Sequence, residues 1–272
     1  MKINKTLIVL FMVPAIMAGA CAKRDFVKVA LNANTDYVDV RASELLDVIR
    51  EFNSSSPRTI SAGVFINADI KDQNYKATGR AAFDRERDML NLTLHDNIFM
   101  TPIFKFFDED NRLYFYYPPE KRLFIDHPGR VDISRYSEIE LDYYIIKGIA
   151  TGQMPLLNNY RVSKAVKEPG KEEYFLVVEN DSYFQTVYIK DKMPEKMMLI
   201  NRSTRQRHEI YLSNYKVSGD SGFYREIRIF SPGKRMDVKI VFNDVKLDTR
   251  VEIRGFKSET IPSDVKKTIH NR

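Results

Sequence analysis

The sequence predicts a mainly antiparallel β fold with a few α-helices, and three observations carry that expectation. From Thr59 onward the apolar residues recur with a period of two, as in "MLNLTLH", where Leu90, Leu92 and Leu94 fall on one face. The alternating runs are short and are joined by turn formers such as "EDN" and "PPEK", which favours hairpins over parallel crossovers. Only two segments show a helical stripe.

The first of these is "ASELLDVIREF". Ser43 is placed to cap it, Glu44 and Asp47 suit its positive end, and Leu45, Leu46, Ile49 and Phe52 share one face. Strands are then expected at "TISAGVFINADI", "NYKATGRAAFD", "MLNLTLH", "PIFKFFD", "RLYFYY" and "RLFID". The second helix is expected within "SEIELDYYIIKGIATGQMP". There Ser137 and Glu140 have capping-box spacing, Leu141, Tyr144, Ile145 and Ile149 form the apolar stripe, and Gly152 with Pro155 stops it. Strands resume at "EEYFLVVEN", "YFQTVYIK", "KMMLINR", "RHEIYLSNY", "FYREIRIFS", "MDVKIVFNDV" and "VEIRGF". A sheet of about a dozen strands tends to curl, because twist accumulates and open edges are a liability.

The N-terminus has the parts of an export signal: Lys2 and Lys5, an uncharged run from Thr6 to Ala20, and the small-residue exit Ala18-Gly19-Ala20. The run is short for a spanning helix and contains Pro14. The chain's only cysteine, Cys21, follows at once, so no intramolecular disulfide can form. Two peptidases would cut the same bond. One leaves a lipidated Cys21 and an anchored protein; the other leaves a soluble protein with a free thiol. A lone cysteine at this bond favours lipidation, and Ala22 in place of Asp favours the outer membrane. The expected divisions are a signal peptide over 1–20, a lipidated N-terminus and tether over 21–40, one folded domain over 41–262 and a polar tail over 263–272.

The chain has 272 residues and a net charge of +6, which falls to +4 without Lys2 and Lys5. The surplus is spread along the chain instead of gathered in a block, which argues against a nucleic-acid partner. His95, His127, His208 and His270 lack metal-ligand spacing and are expected on the surface. "DEDN" at 108–111 lacks the glycine and distal glutamate of a calcium loop and reads as a hairpin turn. There is no phosphate loop and no Gly-x-Ser-x-Gly elbow. No metal, cofactor or catalytic residue is expected, and the chain is not expected to be an enzyme.

Two features point to binding. In "HDNIFMTP" the residues Ile98, Phe99 and Met100 sit where a connection should be polar. They either form an exposed apolar tip with a partner or cover the open end of the sheet as core. Two helices are also few for the inner face of so long a sheet. The Leu90, Leu92 and Leu94 face, with Leu141, Tyr144, Ile145 and Ile149, supplies the candidate lining of an apolar cavity. The 17 Phe and 15 Tyr could instead fill it.

The order of elements, with "KGIATGQMP" before the central strands, "LDTRVEIRGFKSETIP" with Phe256 and Pro262 at the close, and "LHDNIFMTP", resembles the LolA/LolB family of bacterial lipoprotein-sorting proteins. The resemblance runs from about Ser43 to Pro262, although this chain has no Trp. It implies a curved half-open β-barrel of roughly 11–12 strands with helices packed at its concave face. It also implies that lipoprotein acyl chains or other lipid bind inside, that a periplasmic LolA-like carrier is the donor, and that Ile98, Phe99 and Met100 form the LolB branch's apolar loop facing a bacterial membrane. The corresponding function is a lipid-anchored outer-membrane protein, facing the periplasm, that inserts or sorts lipoproteins. The competing readings are an envelope interaction lipoprotein with a filled barrel that binds a protein or polysaccharide, and an enzyme acting on an envelope glycan or lipid.

Overall fold

Two-residue turns set the architecture. Lys71-Asp72, Asp110-Asn111 and Asp191-Lys192 all have positive φ at both positions, the geometry whose twist matches that of the strands it joins. The computed structural model describes residues 31, 35–136, 140–253, 255–256 and 261–270. The signal peptide and Cys21 lie outside the described residues, as does Ser137.

The first half of the chain contributes β1 (Val38–Asp39), helix α1 (Ala42–Ser54), β2 (Thr59–Ile70), β3 (Gln73–Asp84) and β4 (Met89–Asp96). It continues with β5 (Pro102–Glu109), β6 (Arg112–Tyr117), β7 (Arg122–Asp126) and helix α2 (Tyr143–Ala150). The second half contributes β8 (Arg161–Lys167), β9 (Glu173–Glu179), β10 (Tyr183–Lys190) and β11 (Met193–Asn201). β12 (Arg207–Ser218), β13 (Ser221–Ser231), β14 (Met236–Leu247) and β15 (Lys266–Ile269) complete it.

All fifteen strands form one sheet in the order β1-β8-β9-β10-β11-β12-β13-β14-β2-β3-β4-β5-β6-β7-β15. Every pairing is antiparallel except β15 on β7. The sheet is curved and does not close, so it is a half-open barrel with β1 and β15 at its edges. Between β7 and β8 the chain crosses the concave face, carrying α2 with it.

The strand count exceeds the expected 11–12. β1 and β15 are too short to show a period, and "RVSKAVK" is too polar at its start to stand out in sequence. In the segment "VEIRGF" the described residues form no strand: Phe256 packs flat on Tyr114, ring centroids 4.1 Å apart, beside Phe107 and Val265. The presumed polar tail supplies β15, whose Lys266 pairs with Arg122 and whose Ile269 pairs with Ile125.

Helix starts also differ from expectation. Arg41, not Ser43, precedes α1 and gives no side-chain cap. α2 is shorter than its apolar pattern suggested, because Asp142 takes the cap position and accepts from the Tyr144 N–H. Its end is as the sequence implies: Gly152 has φ +82°, a conformation that glycine adopts without a Cβ penalty.

Leu45, Ile49 and Phe52 of α1 are buried against β8, β9 and β11. The segment after α2 is fixed by two side-chain amides, the half-buried Asn53 and the buried Gln185. Asn53 donates to the Met154 carbonyl at 3.0 Å and accepts from the Met154 N–H at 2.7 Å. Gln185 donates to Pro155 O at 2.7 Å and accepts from the Leu157 N–H at 2.9 Å. These bonds satisfy backbone groups that a buried crossover would otherwise leave unpaired.

Candidate functional site

Cross-strand pairs on the concave face of β2, β3 and β4 unite small residues with larger ones. Ala62 faces Ala81, which faces Leu92; Val64 faces Gly79, which faces Leu94. With so little side chain on β3, the floor of the sheet dips here. Phe104 and Phe106 on β5, Phe115 on β6 and Ile240 and Phe242 on β14 wall the depression. Ile133, Tyr136, Tyr143, Ile146, Lys147 and Ala150 cover it from the crossover segment and α2. The cavity, open on one side, measures about 240 Å³ and is lined almost wholly by apolar atoms.

One polar cluster lies on its border. Lys147 Nζ donates to Asp108 Oδ2 at 2.5 Å and to Asp88 Oδ1 at 2.7 Å, and the Tyr143 hydroxyl also donates to Asp108. Asp108 is only 3 % exposed and Lys147 15 %. Burial pushes the Tyr143 phenol well above its ordinary range, and the Asp108 charge adds to the effect. For Lys147 burial acts downward, but the hydrogen bonds to Asp108 and Asp88 outweigh it and hold the ammonium above its usual value. The cluster ties α2 to β5 and to the β3–β4 turn, so the roof of the cavity is tethered by buried charges.

The sequence-derived lining is only partly placed at this cavity. Leu90 and Leu92 line it, whereas Leu94 is paired further out, with its Cδ2 about 3.0 Å from where a Cβ on Gly79 would stand. Leu141, Ile145 and Ile149 are buried in the main core, and Tyr144 is exposed. Of the stripe read from sequence, Ile145 and Ile149 form the core-facing side of α2, while Leu141 precedes the helix and Tyr144 faces solvent. The cavity-facing side is Tyr143, Ile146, Lys147 and Ala150, one position round the helix. Lys147 and Tyr143 were missed because a lysine and a second tyrosine read as ordinary polar-side residues, and only Asp108 on a distant strand gives them meaning.

Ile98, Phe99 and Met100 form the tip of the β4–β5 connection and are 79 %, 77 % and 60 % exposed. The tip is held by polar groups beneath it. Asp96 Oδ1 accepts from the Ile98 N–H at 2.9 Å and the Phe99 N–H at 2.8 Å, and the Met100 N–H donates to Asp96 O at 3.0 Å. The Phe99 and Ile98 amides hold the Asp96 carboxyl below its usual range. With its backbone satisfied in this way, the turn leaves three large apolar side chains in solvent.

Of the histidines, His208 is not on the surface. It is fully buried, shares a 2.5 Å hydrogen bond between Nδ1 and the Ser231 hydroxyl, and has no partner at Nε2. Burial lowers it to about 4. Among the described residues no three His, Cys, Asp or Glu side chains are grouped to hold a metal ion, and no helix is long and apolar enough to cross a membrane.

The overall fold is shared with solved structures. A domain provisionally assigned to outer membrane lipoprotein sorting, from Vibrio parahaemolyticus, superposes with a TM-score of 0.59 at 14 % identity, over 78 % of this chain and 95 % of that one. A LolA superfamily protein from Nitrosomonas europaea gives 0.55 at 8 % identity, over 76 % and 94 %. The chain thus shares the fold of these two proteins, one of them a LolA superfamily member. A DUF1329 family protein from Desulfovibrio piger also superposes, with a TM-score of 0.57 at 10 % identity over 79 % and 96 % of the two chains. No protein-family model and no curated protein sequence matches the chain.

Proposed function

We propose that this protein is a lipid-binding, non-enzymatic lipoprotein that takes an acyl chain into the cavity beneath α2 and helps insert or sort lipoproteins at the outer membrane. The observation that carries this reading is the apolar hollow of about 240 Å³ between a sheet poor in side-chain volume and a short helix. Each methylene moved there from water contributes roughly 0.8 kcal/mol, so cargo would pass from a looser carrier to a tighter acceptor without covalent chemistry. The similarity in fold to a lipoprotein-sorting domain supports the same class of cargo and a LolA-like periplasmic donor. Lipidation of Cys21 would anchor the domain through its tether, facing the periplasm. The exposed Ile98, Phe99 and Met100 would then enter the lipid headgroup region.

The test is binding of a fluorescent fatty acid to the purified domain, together with mass spectrometry of lipid extracted from it and of the mature N-terminus. Ala81 faces the cavity, so Ala81→Phe fills it and is expected to abolish probe binding while leaving the fold intact. A wild-type domain that carries no lipid and binds no probe would instead favour the filled-barrel reading, with a protein or polysaccharide partner.

A further inference from the structure

At the end of the sheet opposite the apolar loop lies a second, polar cavity of about 710 Å³. Ala77 of β3 pairs with Asp96 beside the loop, whereas Asp84 of the same strand borders this cavity, so the two sites are at least roughly 23 Å apart. Three arginines from three places in the chain line it: Arg58 before β2, Arg85 after β3 and Arg250 after β14. Among the described residues none of the three guanidinium groups lies within ion-pair distance of a carboxylate.

Four acids share the lining; backbone N–H groups engage Asp84 and Asp248, while Glu86 and Asp220 point to the solvent-exposed rim. Asp84 Oδ1 accepts from the Glu86 and Arg87 N–H groups at 3.0 and 3.1 Å, and its other oxygen faces Arg87. Asp248 Oδ1 accepts from the Arg58 N–H at 2.6 Å, and Ser221 bonds the same carboxylate. Asp248 acts on Arg85 only at longer range, and Glu86 and Asp220 are exposed to solvent. Arg85 is the telling residue: its Nη2 is buried and has no hydrogen-bond partner. A buried donor on a charged group is costly to leave unmatched, so Arg85 presents the cavity with an unused donor suited to an anionic acceptor.

We propose that the cavity binds a phosphate-class oxyanion, gripped by Arg58, Arg85 and Arg250 with the Ser218 and Thr249 hydroxyls as further donors. Planar guanidinium forks match tetrahedral oxyanions with paired hydrogen bonds, and three of them suit the two charges of a phosphomonoester better than one carboxylate. The same chemistry is offered by a soluble phosphorylated metabolite and by the headgroup of an anionic phospholipid. This site is independent of acyl binding, since no residue lines both cavities.

The experiment uses the full mature chain, with glycerol 1-phosphate and vesicles of phosphatidylcholine with or without phosphatidic acid as probes. Glycerol 1-phosphate is expected to raise the melting temperature above that in chloride of equal ionic strength, and calorimetric titration should give one site. R85M, R58A and R250A should each weaken binding about tenfold, as the loss of one charge-assisted hydrogen bond implies. R58A and R250A replace exposed side chains and should melt as wild type does in anion-free buffer. R85M, which removes the unmatched donor, should not melt lower. Binding of glycerol 1-phosphate but not of phosphatidic acid vesicles assigns a soluble ligand; vesicle binding that R250A removes assigns a headgroup. No phosphate-specific stabilisation, or stabilisation that persists in all three variants, overturns the proposal and leaves water as the partner of Arg85. Fluorescent fatty acid binding, read in parallel, should be unchanged in every variant.

Discussion

The two halves of the concave face are built from different material. Under α1, opposed pairs run Leu176, Val187, Met197, Ile210 and Ile229 across β9 to β13, all fully or almost fully buried. Under α2, the corresponding positions on β2 and β3 are Ala62, Val64, Gly79 and Ala81. The first half meets a 13-residue helix with three buried apolar residues; the second meets one of 8 residues and an irregular segment. One half is a core closed by side-chain volume. The other is a hollow whose roof helix packs into the main core through Ile145 and Ile149 and is held on its cavity side by charge.

The largest test of that difference is Asp108→Ala. It leaves the Lys147 ammonium half-buried without its inner partner and the Tyr143 hydroxyl without an acceptor. Breaking a buried pair this way costs about 3–5 kcal/mol, whereas D108L with K147M replaces both charges by apolar groups and should recover most of it. Urea unfolding measures both. A loss below about 1 kcal/mol in D108A would mean that α2 is held by packing after all.

The packed half contains a titrating weak point. His208 sits opposite Leu199 with Glu140 and Lys234 nearby, and its folded pKa of about 4 lies below the ordinary 6.5. Because the unfolded chain takes up the proton first, the stability this residue contributes is complete above pH 6.5. It is lost as pH falls toward 4, at about 1.4 kcal/mol per unit and about 3 kcal/mol in all. H208L should flatten that part of the stability–pH curve relative to wild type. An identical slope in the two proteins would show that His208 is protonated in the fold.

These residues also mark the limit of what was legible in the sequence. Period-two runs such as Met89–Asp96 and turn pairs such as Asp110-Asn111 are local signals, so most strands and their antiparallel pairing could be read directly, whereas sequence alone leaves Ile98 equally readable as exposed tip or core. The cavity could not be located so directly, because it depends on Ala81 standing opposite Leu92 and on which side of α2 faces down. A helical stripe identifies the side packed hardest, which here is Ile145 and Ile149 in the main core. It says nothing of a second, looser contact beside it. His208 and Arg85 were equally silent, since burial of a polar side chain in a strand is decided by what crosses over it.

A smaller contrast compares the halves residue for residue. Leu176→Ala opens a new void in a close-packed row and should cost about 3 kcal/mol. Leu92→Ala only enlarges an existing hollow next to a partly exposed position and should cost about 1 kcal/mol. The expected difference of about 2 kcal/mol is readable from denaturation midpoints at constant slope. Equal losses would mean that the hollow collapses in solution.

The smallest effect on stability is expected at the loop. Ile98, Phe99 and Met100 touch little and are held from below by Asp96, so I98D/F99D/M100D should shift unfolding by no more than about 0.5 kcal/mol. The same substitution removes the only three adjacent large apolar side chains that the described surface leaves in solvent. If they enter a bilayer at even part of the roughly 1.5–3 kcal/mol that each can gain, vesicle affinity should fall by at least about hundredfold. Fluorescent fatty acid binding in the cavity should stay as in wild type. That combination, with fold and cavity intact but membrane contact gone, separates the loop from the hollow. A loop whose loss instead melts the domain would be a cover for the sheet's open end.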